Sequence, residues 1–94
     1  MSEQPHKPHK RLLDEIVAAK KQVQLGVDYA HYKDSAKVYQ PRYFATLEAN
    51  DVLCVVYQAQ YGDKLFFVRP LSEWIETVEW QGRAVPRFLL VSEL

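Results

Sequence analysis

Two apolar runs separated by a short turn dominate the hydrophobic pattern of the chain. The first run spans residues 53–57 and the second spans residues 65–68, with Gly62 in the turn between them. Both runs are rich in β-branched and aromatic residues, which favour strands. The second run stops just before Pro70. The pattern therefore predicts a β-hairpin at the centre of a small antiparallel sheet.

Ahead of this hairpin, apolar residues recur every three or four positions between residues 10 and 24, as in an amphipathic helix. The predicted apolar stripe consists of Leu12, Leu13, Ile16, Val17, Ala19 and Val23. Gly26 can adopt the left-handed conformation that ends a helix. We expect the helix to cover one side or end of the sheet. Residues 1–9 are polar and contain two prolines, so we expect a mobile tail there.

Shorter alternating segments predict further strands. Residues 29–33 are expected to form the first strand, and residues 34–37 have the composition of a turn. Pro41 has no N–H to donate to a ladder, so we expect either a sheet edge or an irregular start there, with a regular strand from about residue 43 to 47.

The segment after Pro70 predicts one helical turn at residues 71–75 and then a second hairpin. Gln81-Gly82 supplies the tight turn of that hairpin, and residues 88–91 close the fold. The predicted fold class is mainly β with an N-terminal α-helix (α+β). The expected architecture is a small SH3-like open barrel of five or six antiparallel strands; the alternative is a helix packed on a curved antiparallel sheet. The predicted organisation is tail 1–9, helix 10–25 and barrel domain 26–94.

Composition narrows the functional classes only a little. The 94 residues carry equal numbers of basic and acidic side chains, but residues 1–42 hold eight basic and five acidic ones, whereas residues 43–94 hold four and seven. Cys54 is the only cysteine, so it cannot form an internal disulfide, and its apolar neighbours favour a small buried hydrophobe. No segment has the length and hydropathy of a membrane helix or a signal peptide. We therefore expect a cytoplasmic protein without membrane contact.

Several separated motifs occur in a specific order. They are His31-Tyr32-Lys33, VVYQAQYG at 55–62, FVRPL at 67–71, VEWQG at 78–82 and VPRF at 85–88. In order and spacing these motifs resemble the small bacterial proteins grouped as domain of unknown function 1653, over about residues 25–88. The family commonly has a turn rich in threonine and glutamate before the central hairpin, whereas residues 47–51 read LEAND here. The resemblance implies a bacterial or phage source and a compact domain, and it implies no chemistry.

Candidate catalytic chemistry is sparse. His31 is the only histidine in the segment predicted to fold, and an acid–base pair would need a carboxylate beside it. A small hydrolase-like site around His31 is the least favoured hypothesis. His6 and His9 lack a carboxylate or thiolate partner in the sequence pattern, so neither a metal nor another cofactor is predicted.

A non-catalytic binding module is the favoured hypothesis, because small β domains bind ligands on surfaces where aromatic side chains stand beside charges. The candidate binding residues are His31, Tyr32, Tyr57, Tyr61, Arg69 and Trp74. A protein or peptide is the expected partner. Nucleic acid, bound through the basic N-terminal half, is the alternative. Arg69 and Arg87 each have a second interpretation, in which the guanidinium pairs with Glu73, Glu76 or Glu79 and holds loops together.

Overall fold

The computed structural model of the chain describes residues 6–94. One main helix is followed by strands and by a second helix of a single turn. In chain order the elements are α1 (His9–Lys20), β1 (Tyr29–His31), β2 (Asp34–Leu47), β3 (Val52–Ala59), β4 (Phe66–Pro70), α2 (Leu71–Trp74), β5 (Thr77–Trp80), β6 (Arg83–Pro86), β7 (Phe88–Leu90) and a final 3₁₀ turn (Val91–Glu93). The predicted fold class is confirmed. No helix within residues 6–94 is long and apolar enough to cross a membrane.

Five strands form one antiparallel sheet in the order β4-β3-β2-β1-β7, and β5 pairs with β6 as a separate hairpin. The predicted central hairpin is confirmed as β3 and β4, with Tyr57 opposite Phe67. The predicted turn of the second hairpin is also found, and Gln81 and Gly82 both have positive φ, as a type I′ turn requires. Because β4 and β7 lie at opposite edges, the sheet is open. It fits the predicted alternative of a helix on an antiparallel sheet, and an SH3-like barrel is not confirmed.

β2 departs from its prediction in length and in position. It already begins at Asp34, where a turn was expected, because the chain reverses earlier, at Tyr32-Lys33. It also lies between β1 and β3, so Pro41 does not mark a sheet edge, and the ladder is instead irregular there, which was the other alternative. The register shifts between Pro41 and Tyr43. This bulge interrupts the ladder where proline cannot donate a hydrogen bond.

The core lies between the helices and one face of the main sheet, which we call the inner face. It is formed by Val23, Tyr29, Val55, Tyr57, Trp74 and Phe88. Alternation along β3 directs Val55 and Tyr57 to the inner face and directs Val56 to the opposite, outer face. The β1–β7 end of the outer face is covered by the β5–β6 hairpin, because Ala30 and Leu89 line a cavity together with Val85 of that hairpin.

α1 buries only part of the predicted apolar stripe. Ala19 is fully buried, whereas Leu13 and Val17, one turn apart, are 51% and 57% exposed. The helix ends at Lys20 rather than near residue 24, and the turn after it places Val23 in the core. The side of α1 that carries Leu13 and Val17 thus faces solvent in the described structure.

The segment before α1 lies against the turn between β2 and β3. Residues 1–5 of the predicted tail are outside the described residues. His6 Nδ1 lies 2.9 Å from Asp51 Oδ2, and the Lys7 backbone N–H donates to the same oxygen at 2.7 Å. The hydrogen bond with His6, helped by the one from Lys7, holds the pKa of Asp51 below its ordinary value. These contacts attach the start of α1 to the main sheet.

Candidate functional site

The structure gathers the candidate binding residues around one network of aromatic rings. The network contains five of the six: His31, Tyr32, Tyr57, Tyr61 and Trp74. Phe88 lies between His31 and Trp74. Its ring centroid is 5.6 Å from that of His31 and 3.8 Å from that of Trp74. Tyr39 lies between Phe88 and Tyr61, with its ring centroid 5.9 Å from that of Phe88 and 5.5 Å from that of Tyr61. Sequence reasoning missed Phe88 and Tyr39 as connecting rings, because only strand pairing brings β7 and β2 to this place.

The candidate residues lie at two depths. Tyr57 is 6% exposed and Trp74 is 2% exposed, so both belong to the core. Trp74 stacks on Phe88 with an interplanar angle of 10°. Tyr61 is 38% exposed, and His31 is half-buried at the edge of the same network. Only the outer rings are therefore accessible at the surface, and the buried pair packs beneath them.

His31 ends β1, directly before the turn that connects it to β2. The Lys33 backbone N–H donates to His31 Nδ1 at 3.2 Å, so the proton of the neutral imidazole resides on Nε2. Partial burial, followed by the charges of Arg69, Arg87, Lys33 and Lys37, lowers the pKa of His31. Among residues 6–94 no carboxylate hydrogen-bonds to this imidazole. The pair that the hydrolase-like hypothesis requires is therefore not formed within that range.

Two lysines lie over rings of the network, one of them half-buried (Tyr32) and the other exposed (Tyr61). Lys33 Nζ is 5.7 Å from the Tyr32 ring centroid, and Lys37 Nζ is 5.9 Å from that of Tyr61. Neither lysine forms a salt bridge within the described part of the chain. The nearby Asp34 carboxylate instead accepts the backbone N–H two residues further on, at 3.0 Å. Both ammonium groups thus remain available to an anionic ligand.

The two arginines beside the network are held by carboxylates, as the second interpretation predicted. Arg69 Nη1 lies 3.4 Å from Glu73, and its guanidinium lies 5.8 Å from the Phe88 ring centroid. Arg87 Nη2 lies 3.1 Å from Glu76. We call the accessible part of this region the basic aromatic face, and define it as His31, Tyr32, Lys33, Lys37, Tyr61 and Arg69.

An apolar cavity of about 190 Å³ adjoins the basic aromatic face. It opens between the main sheet and the β5–β6 hairpin, and its walls include Tyr32 and Leu89 on one side and Trp80 and Val85 on the other. His31 also contributes to the lining. An engineered cavity of about 150 Å³ holds a benzene molecule. This cavity therefore has room for one apolar side chain.

Cys54 is 3% exposed, and burial raises the pKa of its thiol, which favours the unreactive protonated form. Within residues 6–94 no three histidine, cysteine, aspartate or glutamate side chains come together in a way that could hold a metal ion.

A family model and a solved structure both match this chain, and both belong to the same family. A family model described as "Protein of unknown function (DUF1653)" matches residues 27–90. Curated proteins yield no match. Among solved structures, the chain is similar to the crystal structure of a protein belonging to DUF1653 from Bordetella bronchiseptica, with 31% sequence identity and a TM-score of 0.61. The match covers 69% of this chain and 83% of that chain. The family region includes the whole basic aromatic face and leaves out α1.

Proposed function

This chain belongs to the DUF1653 family, and from that premise we propose that it is a non-catalytic module that binds an acidic segment of a partner protein through the basic aromatic face. The family description names no function, so the proposal rests on geometry. The observation that carries it is the position of Lys33 and Lys37, which lie over aromatic rings and form no salt bridge within residues 6–94.

The surroundings of these lysines suit carboxylates. Four cations lie near enough to His31 to lower its pKa, and two of them, Arg69 and Arg87, already pair with glutamates. Lys33 and Lys37 supply the remaining positive charge. The neighbouring cavity offers an apolar site for a side chain that follows or precedes an acidic one. An acidic segment interspersed with apolar residues matches both features.

Nucleic acid has less support as the ligand. Single-stranded nucleic acid binds by stacking bases on free aromatic ring faces. Here Lys33 and Lys37 already lie over the rings of Tyr32 and Tyr61, so bases would have to displace them. The acidic excess of residues 43–94 also opposes a long phosphate track.

A reducing compartment, the cytoplasm, is part of the same proposal. Its support is the single free cysteine, Cys54, which is buried as a small hydrophobe.

The proposal is tested by nuclear magnetic resonance titration of the ¹⁵N-labelled chain. The probes are a short synthetic peptide of alternating glutamate and leucine and a single-stranded oligothymidylate of equal charge. We expect the peptide to shift the amide signals of His31, Lys33, Lys37 and Tyr61, more strongly at low salt. The double variant K33Q/K37Q should weaken peptide binding by about three- to thirtyfold, because it removes two exposed charge pairs.

A matched control removes the same charge elsewhere. The double variant K20Q/K21Q lies at the end of α1, outside the family region, and should bind the peptide as the unchanged chain does. Absence of peptide binding at low salt, or equal weakening by both double variants, would contradict the proposal. Tighter binding of the oligothymidylate than of the peptide would favour the nucleic-acid alternative.

A further inference from the structure

β4 is an edge strand whose side chains are unusually apolar for that position. It pairs with β3 on one side and has no strand on its other side within residues 6–94. Leu65, Phe66, Phe67 and Val68 are 59%, 55%, 40% and 62% exposed. Proteins usually protect sheet edges with charges, prolines or very short strands. β7, at the opposite edge, is only three residues long, whereas β4 carries its charge and its proline only at its end, in Arg69 and Pro70, and residues 65–68 have neither.

The hydrogen bonds to β3 determine which backbone groups of β4 remain free. The Leu65 carbonyl accepts the Ala59 N–H at 3.0 Å, so the polar groups of Leu65 point towards β3. Along an antiparallel strand this direction alternates from residue to residue. The N–H and C=O groups of Phe67 therefore also point towards β3. Those of Phe66 and Val68 point away from the sheet and have no strand to bind in the described part of the chain.

We infer that β4 is a self-association edge, at which two copies of this chain pair their β4 strands antiparallel around a two-fold axis through Phe67. Phe66 of one copy then faces Val68 of the other, and Val68 faces Phe66. Each of these two residue pairs exchanges two backbone hydrogen bonds, so all the free polar groups of Phe66 and Val68 find partners. The two five-stranded sheets join into one continuous sheet.

The residues at the two ends of β4 favour this register over the registers whose two-fold axis is shifted by one position in either direction. A shift that places Val68 opposite Val68 brings Phe66 opposite Pro70, which has no N–H to donate. A shift the other way, with Phe66 opposite Phe66, brings Val68 opposite Lys64, which has φ of 53° and has left the strand conformation. Only the register centred on Phe67 pairs Phe66 and Val68 with residues that both lie in β4 and carry an N–H. It is therefore the register that gives both the N–H and the C=O of Phe66 and of Val68 a partner; opposite Pro70, the Phe66 C=O would find no donor.

Side-chain chemistry supports a second copy as the occupant of this edge. In the register centred on Phe67, Arg69 faces Leu65 and Lys64 faces Pro70, so no like charges are opposed. The formal net charge of the chain is zero, so two copies do not repel each other strongly. On the outer face, Val68 lies opposite Val56, which lies opposite Tyr43, and Tyr43 is 61% exposed. Pairing extends this apolar stripe across both copies.

The paired segment is short, so the dimer is expected to be reversible, with a dissociation constant on the order of 10–100 µM. Sedimentation equilibrium tests this over about 5 to about 500 µM. The average mass should rise from the 11.0 kDa of one chain towards twice that value. Hydrogen exchange of the Phe66 and Val68 amides should slow as concentration rises, while exchange of the Phe67 amide, already bonded to β3, should change less.

Charged substitutions test the register itself. The double variant F66K/V68K places lysine opposite lysine at both pairs and should remain monomeric over the whole range. The double variant F66K/V68E places lysine opposite glutamate and should recover the dimer. The control L13K/V17K changes two comparably exposed apolar residues of α1 and should dimerise as the unchanged chain does.

Three results would overturn the inference. The first is a constant mass of one chain up to the highest concentration, together with unchanged amide exchange. The second is a dimer that persists in F66K/V68K, since it would use another surface. The third is a loss of the dimer in F66K/V68E equal to that in F66K/V68K, since the strands would then not be paired around Phe67. None of these results bears on binding of the acidic peptide, which uses the basic aromatic face.

Discussion

Trp74 offers the most direct test of how the fold and the basic aromatic face depend on each other. Its side chain is 2% exposed and is the only buried one of the four-residue helix α2. Its indole stacks on Phe88 at 3.8 Å and meets the rings of Tyr57 and Tyr29 at 4.9 and 5.5 Å. Substitution W74A should therefore leave a large cavity beneath the surface rings.

The magnitude follows from burial and packing. Replacing a buried tryptophan by alanine typically costs about 3–5 kcal/mol, and each aromatic pair adds about 0.5–1.5 kcal/mol to area burial alone. We expect W74A to cost about 4 kcal/mol. A chain of this size has a total unfolding free energy of about 5–14 kcal/mol. The loss therefore corresponds to a fall of about 15–30 °C in the melting temperature.

Urea denaturation followed by far-ultraviolet circular dichroism measures this cost. W74F keeps a ring against Phe88 and should lose about 1–2 kcal/mol. W80A is the matched control, because Trp80 is half-buried at the end of β5 and should lose about 1 kcal/mol. A cost of W74A below about 1.5 kcal/mol, or one equal to that of W80A, would refute the assignment of Trp74 to the core.

Three further predictions follow from single residues. Burial and neighbouring cations lower the pKa of His31 from 6.5, so the unfolded chain binds more protons than the folded chain just below that pH. The contribution of His31 to stability is therefore present above pH 6.5 and is lost as the pH falls through the folded pKa. An imidazole titration midpoint at or above 6.5, measured by nuclear magnetic resonance, would contradict this. Cys54 should react with a disulfide reagent only as fast as the chain opens, because its thiol is buried and its pKa is raised, and a rate equal to that in urea would disprove it. Substitution G26A should cost about 1 kcal/mol in urea denaturation, because φ at Gly26 is 77° although the space around it is empty, and an unchanged midpoint would refute the strain argument.

The parts of the fold that could be predicted from sequence are those specified by local signals. The dense β-branched run of β3 and the turn at Gln81-Gly82 need no knowledge of their neighbours. The position of Pro41 could not be predicted, because the bulge that accommodates it depends on the register with β3. The exposure of Val17 also depends on tertiary packing, since helical periodicity alone places it beside the buried residues.

The residue types of the candidate site could be predicted from the sequence, but the burial of each side chain could not. Tyr57 and Tyr61 lie four residues apart in one motif, yet Tyr57 points inward from β3 and Tyr61 follows the strand into an open turn. Amphipathic aromatics suit both situations, so their chemistry does not distinguish them. The support that Phe88 gives to His31 depends on the pairing of β7 with β1, which no local pattern encodes.

The apolar run at residues 65–68 is a local signal that does not agree with the position of its strand at the sheet edge. In an antiparallel strand with one wet face, apolar and polar residues alternate, so a continuous run indicates that both faces are covered. In this structure Phe67 contacts the core ring of Tyr57 on the inner face, while Phe66 and Val68 stand on the outer face with nothing over them in residues 6–94. The strand is thus built for burial on both sides but receives it on one. Pairing with a second copy would supply a neighbour for the free backbone groups and would place Phe66 and Val68 beside apolar side chains of the other copy, which covers part of their exposed surface.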